Sequence, residues 1–200
     1  MNSSRSTPRV RLMALTIVAC IVLVALTERT TFSGFASGTV GFFGFVLVAI
    51  AALGRFWTSL FIAGRKDATL VLVGPYAACR HPLYLLSLLG MLGLGLATRS
   101  VVLLLALVSI AAFLHVGAIR AEDALLERTH GEAARRYREQ VPALIPDWSR
   151  YSVPESMEIQ PRVLWKALLD AGSLLLALAL VQAAHLLQHA GVIAPWWRLP

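Results

Sequence analysis

The sequence predicts an all-α membrane protein, a polytopic helical bundle with about five transmembrane helices. Of its 200 residues, 58% are hydrophobic and 14% are charged, whereas ordinary soluble domains contain about 45–50% apolar and about 25% charged residues. The mean hydropathy is +0.71. The apolar residues gather into long runs that end at charged residues, which is typical of membrane helices and not of a β protein.

Five apolar runs define the predicted helices, and they cover residues 12–27, 39–63, 83–97, 101–119 and 163–189. Arg55 lies near the end of the second run, where a long side chain reaches the membrane interface. The third run is short for a full span at 1.5 Å of rise per residue. Thr98, Arg99 and Ser100 separate the third and fourth runs, which predicts a tight helical hairpin.

The basic residues predict the orientation of these helices. Five spans place the N-terminus, residues 64–82 and residues 120–162 on one side of the membrane, and most of the 18 Lys and Arg residues lie there. Only Arg29, Arg99 and Arg198 fall on the opposite side. The positive-inside rule makes the basic side cytoplasmic. We therefore expect a multi-pass protein, and the short loops favour a bacterial inner membrane.

The net charge of +7 has its explanation in this topology and not in nucleic-acid binding, because the sequence contains no RNA-binding or zinc-finger motif. Cys20 lies in an apolar run and Cys79 in a polar connection. Two such cysteines predict free thiols and neither a disulfide framework nor a metal site. No motif specifies an oligomeric state.

The long polar stretch from Arg120 to Arg162 has helical spacing at its start. Residues 120–130 predict a helix that Gly131 ends, and residues 132–140 predict a further short helix. Pro142 and Pro146 predict an extended segment after it.

Two polar clusters flank the predicted hairpin. The first is the segment GPYAACRHPLY, residues 74–84, and the second is the pair Glu122-Asp123. Because a hairpin folds back on itself, its two ends are neighbours, so we expect Arg80, His81 and Tyr84 near the acidic pair. Each piece also has a structural interpretation: a Gly-Pro turn, an interfacial arginine, a helix cap and a solvated helix face. The sequence predicts a polar pocket at the membrane surface.

Taken in order, these segments resemble the isoprenylcysteine carboxyl methyltransferase family and its phospholipid-methyltransferase relatives. The resemblance covers about residues 53–147 and rests on GPYAACRHPLY, on the acidic pair in RAEDALL, and on HGEAARRYREQVPALIP. Three positions depart from the family pattern: Asp123 stands where a second glutamate is usual, Leu86 where glycine is frequent, and Ala134 where a tyrosine is expected.

The resemblance implies transfer of a methyl group from S-adenosylmethionine, bound on the cytoplasmic side, to a lipophilic small molecule or lipidated substrate that enters from the membrane lipids. Arg80 suits the cofactor carboxylate, and Glu122 and Asp123 suit its ammonium group or ribose hydroxyls. The complete set of predicted cofactor-binding residues is Tyr76, Arg80, His81, Pro82, Tyr84, Glu122, Asp123 and Tyr137.

The acceptor chemistry remains open at this level. A carboxylate acceptor is ionised at neutral pH and requires alignment and desolvation more than a base. Arg120 or Arg55 is the candidate that would position it. A thiol or amine acceptor would require proton removal, for which His81 and His115 are the candidates.

Two other functions are compatible with the hydropathy, namely a membrane sterol- or enone-type reductase that uses NADPH and a non-catalytic scaffold. The Arg-His-Pro triplet with its downstream acidic pair favours methyl transfer.

As to domains, we expect one integral membrane domain over residues 1–200, with a methyltransferase-like core at 53–147 and an additional C-terminal transmembrane helix at 163–190.

Overall fold

The computed structural model describes residues 7–29, 34–62, 69–157, 159, 161–194 and 197–199. The protein is helical, as predicted. Its helices are α1 (Thr7–Leu26), α2 (Gly34–Ile62), α3 (Pro75–Ala78), α4 (Pro82–Thr98), α5 (Val101–His130), α6 (Glu132–Gln140) and α7 (Pro161–His189). A 3-10 turn spans Trp148–Arg150, and two short strands are β1 (Thr27–Arg29) and β2 (Trp197–Leu199).

The five predicted apolar runs correspond to α1, α2, α4, α5 and α7. Within the described residues, three helices are long and apolar enough to cross a membrane, namely Phe35–Ile62, Val101–His130 and Pro161–His189. The other two apolar helices, Leu15–Leu26 and Pro82–Thr98, are shorter. The last residue of the second run, Ala63, lies outside the described residues.

The surface of these helices is apolar where a soluble protein would be polar. Leu53 on α2 is 70% exposed, and Phe113 on α5 is 81% exposed. Such side chains gain free energy only in contact with lipid or another apolar surface. Together with the long apolar helices, they identify a multi-pass membrane protein.

The chain divides into two compact units. The first contains Met1–Ile50, Leu88–Leu114 and Ser173–Pro200, and the second contains Ala51–Ser87 and His115–Gly172. Each unit contains one stretch of each of four helices, namely α2, α4, α5 and α7.

Glycines bring α2 and α4 together in the first unit. A Cβ added to Gly44 would lie 2.6 Å from the Ala97 backbone nitrogen and 2.7 Å from the Gly93 carbonyl oxygen. A Cβ added to Gly93 would in turn lie 2.8 Å from the Gly44 carbonyl oxygen. Small residues allow membrane helices to approach at backbone distance. The contact therefore depends on these two glycines.

The predicted hairpin between α4 and α5 is confirmed, and buried hydroxyl groups stabilise its turn. The Thr98 hydroxyl donates to the Gly95 carbonyl oxygen at 2.6 Å, and the Leu103 backbone N–H donates to the Ser100 hydroxyl at 3.4 Å. Arg99 has a φ of 59°, the left-handed conformation that a reversal of this tightness requires.

A small parallel sheet also belongs to the first unit, and the sequence did not predict it. Thr27 pairs with Trp197 and Arg29 with Leu199. Beside it, the Gln188 side-chain amide donates to the carbonyl oxygens of Val24 and Ala25 at 2.8 and 3.0 Å. These carbonyls end α1 and have no partner within that helix. Strands of three residues are too short to leave a periodic pattern.

The polar stretch after the fourth apolar run begins as part of α5. The helix continues through the predicted segment 120–130 and ends at His130, and Gly131 follows with a φ of 52°. Helix α6 then covers the predicted residues 132–140. Both polar helices and the break at Gly131 are confirmed.

The glycine contact yields a prediction. Gly44→Ala forces a methyl group against the backbone of α4, so we expect the free energy of unfolding to fall by about 1–3 kcal/mol, the usual range for overpacking. Thermal unfolding in one detergent measures the change. Gly38→Ala is the matched control on the same helix, because a Cβ there meets nothing within 4 Å. Equal stability of the two variants would contradict the prediction.

Candidate functional site

The segment that carries Arg80 and His81 is held by backbone hydrogen bonds in the second unit. The Arg80 N–H donates to the Pro142 carbonyl oxygen at 2.9 Å, and the His81 N–H donates to the Ala143 carbonyl oxygen at 3.1 Å. The Asp147 N–H donates back to the Ala78 carbonyl oxygen at 2.9 Å. The extended segment after α6 thus pairs with the segment that starts α4.

The turn before α3 requires glycine. Gly74 has a φ of 62°, and a Cβ at this position would lie 2.3 Å from the Phe61 ring. Its N–H donates to the Ser152 carbonyl oxygen at 2.6 Å. Pro75 then occupies the first position of α3, where its missing N–H costs nothing. The Gly-Pro dipeptide therefore directs the chain toward Arg80.

His81 caps α4, as predicted, and Pro82 is the first residue of that helix. The Tyr84 and Leu85 N–H groups both donate to the His81 carbonyl oxygen, at 3.1 and 3.2 Å. The backbone of His81 is therefore fixed from two sides, by α4 and by Ala143. The direction of its side chain is set separately, by burial and by the contact of the ring with Asp123.

Asp123 on α5 binds both basic residues of the segment. Arg80 Nη1 donates to both Asp123 oxygens at 3.1 Å, and His81 Nε2 lies 2.9 Å from Asp123 Oδ1. The side chains of Arg80 and Asp123 are only 11% and 18% exposed. Arg80 Nε also donates to the Val141 carbonyl oxygen at 3.0 Å. We call Arg80, His81, Asp123 and Glu122 the His81 cluster.

The structure thus brings together the two ends of the predicted hairpin. It also shows that Arg80 and Asp123, both predicted to bind the cofactor, bind each other. Glu122 differs, since its ion-pair contact among the described residues is a 4.0 Å approach of Oε2 to His81 Nδ1. Of the acidic pair, Glu122 therefore offers the carboxylate that is open to a ligand.

His81 Nδ1 is buried without a hydrogen-bond partner. A carboxylate accepts hydrogen bonds, so the His81 tautomer that suits Asp123 carries its proton on Nε2. In that tautomer Nδ1 presents a lone pair. A buried polar atom without a partner costs free energy, and a ligand N–H or O–H group placed near Glu122 would satisfy it.

Tyr76 and Tyr137 close the cluster from the side of α3 and α6. The buried Tyr137 hydroxyl donates to the Tyr76 carbonyl oxygen at 2.7 Å. Burial raises the pKa of both phenols above the usual value. They remain neutral at physiological pH, so Tyr137 acts here as a positioning hydrogen-bond donor. It is also the contact that fixes α6 on the site.

Cys79 is a buried free thiol, as predicted. Its sulfur donates to the Ala143 and Leu144 carbonyl oxygens at 3.2 and 3.4 Å. Burial raises the pKa of this thiol. A protonated, hydrogen-bonded thiol is a poor nucleophile, so Cys79 has a structural part in the segment.

Ring contacts extend from the His81 cluster along α4 and α5. The centroid of Tyr84 lies 5.8 Å from that of His81 and 5.1 Å from that of His115. His115 is buried. His115, a predicted candidate for proton removal, therefore lies one ring contact away from the cluster, through Tyr84. Arg120 is exposed and forms no ion pair with a described carboxylate.

Arg55 is partly buried and bonded to protein groups, whereas the sequence suggested an arginine that extends to the membrane interface. Its Nε and Nη2 donate to Asp170 Oδ2 of α7, at 3.1 and 2.5 Å. Its Nη1 donates to the Leu83 carbonyl oxygen at 3.2 Å and to the Ser87 hydroxyl. Sequence reasoning missed Asp170. A lone acid in an apolar run requires a cation, and Arg55 was the arginine available within a span.

A cleft of about 570 Å³ opens beside the cluster, within the usual range for small-molecule sites. Its lining includes Val141, whose carbonyl oxygen accepts from Arg80, and Tyr137, whose hydroxyl donates to Tyr76. Its lining consists of Leu72, Ala77, Glu132, Ala133, Arg136, Tyr137, Gln140, Val141, Arg150 and Ser152. Across the described part of the chain, His, Cys, Asp and Glu form no group of three that could hold a metal ion.

Comparison with known proteins identifies relatives over most of the chain. A sequence model described as phospholipid methyltransferase matches residues 30–133. The nickel-cobalt-cadmium resistance protein NccN of Alcaligenes xylosoxydans xylosoxydans is 34% identical over 189 residues, which are 92% of this chain and 87% of that protein. The cobalt-zinc-cadmium resistance protein CzcN of Cupriavidus metallidurans is 36% identical over 155 residues, which are 78% and 70% of the two chains. No solved structure matches the chain.

The buried ion pair yields a prediction. Asp123→Asn leaves Arg80 without its counter-charge, and breaking a mostly buried pair costs about 3 kcal/mol. We expect a clear loss of thermal stability at neutral pH. Glu127→Gln is the control, because Glu127 lies one turn further along α5 and binds the exposed residues Arg135 and Arg138. Such surface pairs contribute about 0–1 kcal/mol. An Asp123 variant as stable as the control would refute the assignment.

Proposed function

The chain belongs to the phospholipid methyltransferase family, and on that premise we propose that it is an S-adenosylmethionine-dependent methyltransferase acting on a lipophilic carboxylate. The family membership supports methyl transfer in a membrane domain. The resemblance of the Arg-His-Pro segment to carboxyl methyltransferases supports the choice of acceptor. The chemistry of the His81 cluster, described next, supports both.

The observation that carries the proposal is the partnerless His81 Nδ1 facing Glu122 across 4.0 Å. The cofactor has hydroxyl and ammonium hydrogens that match this pair of acceptors, so the residues present fit it. In this proposal Glu122 and His81 bind those hydrogens, while Asp123 orients His81 through Nε2. Tyr76, Pro82, Tyr84 and Tyr137 supply the apolar walls.

Arg80 has a different part from the one that the sequence suggested. Its Nε and Nη1 are engaged by Val141 and Asp123, and its remaining Nη2 is available to a cofactor carboxylate. One guanidinium can join several acceptors in its plane. We therefore propose that the main role of Arg80 is to position Asp123 and Val141, the residue that follows α6. In addition, it donates one hydrogen bond to the ligand.

When bound, S-adenosylmethionine supplies an electrophilic methyl group on a sulfonium, which a carboxylate accepts without any movement of a proton. The site has the character that this chemistry needs. Cys79, the thiol beside the cluster, is protonated and engaged, and His81 is held by Asp123. Catalysis then consists of alignment and exclusion of water by buried residues.

The alternatives make different demands on the same residues. An amine or thiol acceptor would need a base, and His81 and His115 are the candidates. A nicotinamide-dependent reductase gains no support from the family membership. A non-catalytic scaffold would tolerate loss of Glu122 without loss of any ligand.

The relatives' names suggest a physiological setting. Two of them are named as resistance proteins for nickel, cobalt, cadmium or zinc. Carboxylates bind divalent cations, and a methyl ester is neutral and a weak ligand. We propose that methylation of acidic groups at the membrane lowers their capacity for such metals. The basic loops place the site on the cytoplasmic side in this proposal.

Cofactor binding is the first test of the proposal. We expect Glu122→Gln to weaken S-adenosylmethionine binding at least tenfold, because a charge-assisted hydrogen bond of about 1.4 kcal/mol or more is lost. Calorimetry on the detergent-purified full chain measures the affinity. Glu127→Gln should bind like the wild type, and both variants should unfold at the wild-type temperature. No binding by folded wild-type protein would sink the proposal.

The acceptor class has its own test. With a lipophilic acid as acceptor, radioactive methyl groups should appear in a base-labile ester that releases methanol. The rate should change little between about pH 6 and 8, because the acid is already ionised there. A rate that rises steadily over this range, with a base-stable product, would point to an amine or thiol acceptor instead.

A further inference from the structure

In the Arg55–Asp170 ion pair, a carboxylate of the protein itself binds a partly buried arginine. Arg55 lies on α2 within the family-matched residues 30–133, whereas Asp170 lies on α7, outside them. Nε and Nη2 of Arg55 both bind the single oxygen Oδ2 of Asp170. The Arg55 side chain is 18% exposed, but that of Asp170 is 44% exposed.

Arg55 does not depend on Asp170 for its position. Its Nη1 donates to the Leu83 carbonyl oxygen at 3.2 Å and to the Ser87 hydroxyl, both on α4. The Ser87 hydroxyl itself donates to the Leu83 carbonyl oxygen at 2.7 Å. Two hydrogen bonds thus join the guanidinium to the first turns of α4, and the third fixes the Ser87 hydroxyl that accepts one of them. Withdrawal of Asp170 would leave the Nε and Nη2 edge of Arg55 in place and unoccupied.

This edge lies near the His81 cluster. Leu83, which binds Arg55, follows His81 and Pro82 on the same helical turn. The Tyr76 phenol lies close enough to both Arg55 and Glu122 for their charges to affect its pKa. An anion on Arg55 would therefore lie beside the residues to which we assign the cofactor.

We propose that Arg55 is the subsite for the acceptor carboxylate and that Asp170 is an internal carboxylate that occupies it until the acceptor enters. Asp170 is then a specificity-determining residue, and the proposal rests on the methyltransferase function above. Exchange of one carboxylate for another keeps Arg55 neutralised in apolar surroundings, where an unpaired charge is costly. An amine or ester cannot replace Asp170 in this way.

Ligand binding without cofactor tests the proposal. The probes are farnesoic acid, its methyl ester and farnesylamine, which share one chain and differ in the head group. We expect Asp170→Asn to bind the acid about tenfold more tightly than the wild type and to bind the ester and the amine unchanged. Arg55→Gln should lose the acid selectively. Lys166→Gln, one turn away on α7, is the matched control and should bind all three like the wild type.

If the ion pair has only a structural role, the opposite result is expected. Asp170→Asn then lowers stability and leaves the affinity for the acid unchanged or weaker, and this result would overturn the proposal. If Asp170→Asn does not fold, the exchanged pair Arg55→Asp with Asp170→Arg keeps a salt bridge. Binding of the acid by that double variant would also overturn it, since its arginine lies on α7 and no longer on α2, where Leu83 and Ser87 hold it.

Measurement of S-adenosylmethionine affinity on the same samples separates the two levels of argument. If Asp170→Asn binds S-adenosylmethionine normally and its affinity for the acid is unchanged, the acceptor subsite is rejected and the methyltransferase function is not. If the wild-type protein does not bind S-adenosylmethionine, that function is rejected, whereas selective binding of the acid through Arg55 would still stand.

Discussion

The Asp123 carboxylate is the contact on which the candidate site depends. It neutralises Arg80 and fixes the ring of His81, and both residues belong to a segment that has no regular secondary structure of its own. Arg80 in turn binds the Val141 carbonyl oxygen, and the Arg80 and His81 N–H groups bind the next two carbonyls of the same strand-like stretch. One acid on α5 therefore orders the start of α4 and the segment after α6 together.

The same physical constraint acts a short distance along α4. Charged groups among apolar helices require a partner. Arg55 has one in Asp170, and its Nη1 donates to the Leu83 carbonyl oxygen and the Ser87 hydroxyl of α4. The two pairs differ in exposure. The Asp123 side chain is 18% exposed, whereas that of Asp170 is 44% exposed, and this exposure is what our acceptor-subsite proposal uses.

A site of this kind suits chemistry without a protein nucleophile. Burial keeps the Tyr76 and Tyr137 phenols and the Cys79 thiol protonated, so these groups position their neighbours and do not react. In the His81 cluster, Nδ1 of His81 has no hydrogen-bond partner, and the Glu122 side chain is 31% exposed. The protein thereby offers recognition, alignment and exclusion of water, which are the contributions that transfer from a reactive methyl donor requires.

Local sequence patterns were enough to predict the five apolar helices, the α4–α5 hairpin, the break at Gly131 and the proximity of Arg80 and His81 to the acidic pair. Each of these follows from local hydropathy, turn residues or the folding back of one hairpin. Tertiary structure alone decided that Asp123 binds Arg80, that Val141 and Asp170 complete the two arginine sites, and that β1 pairs with β2. Those contacts join residues that are far apart in the chain, and no local period or spacing encodes such a partner, because it depends on which helix faces pack together.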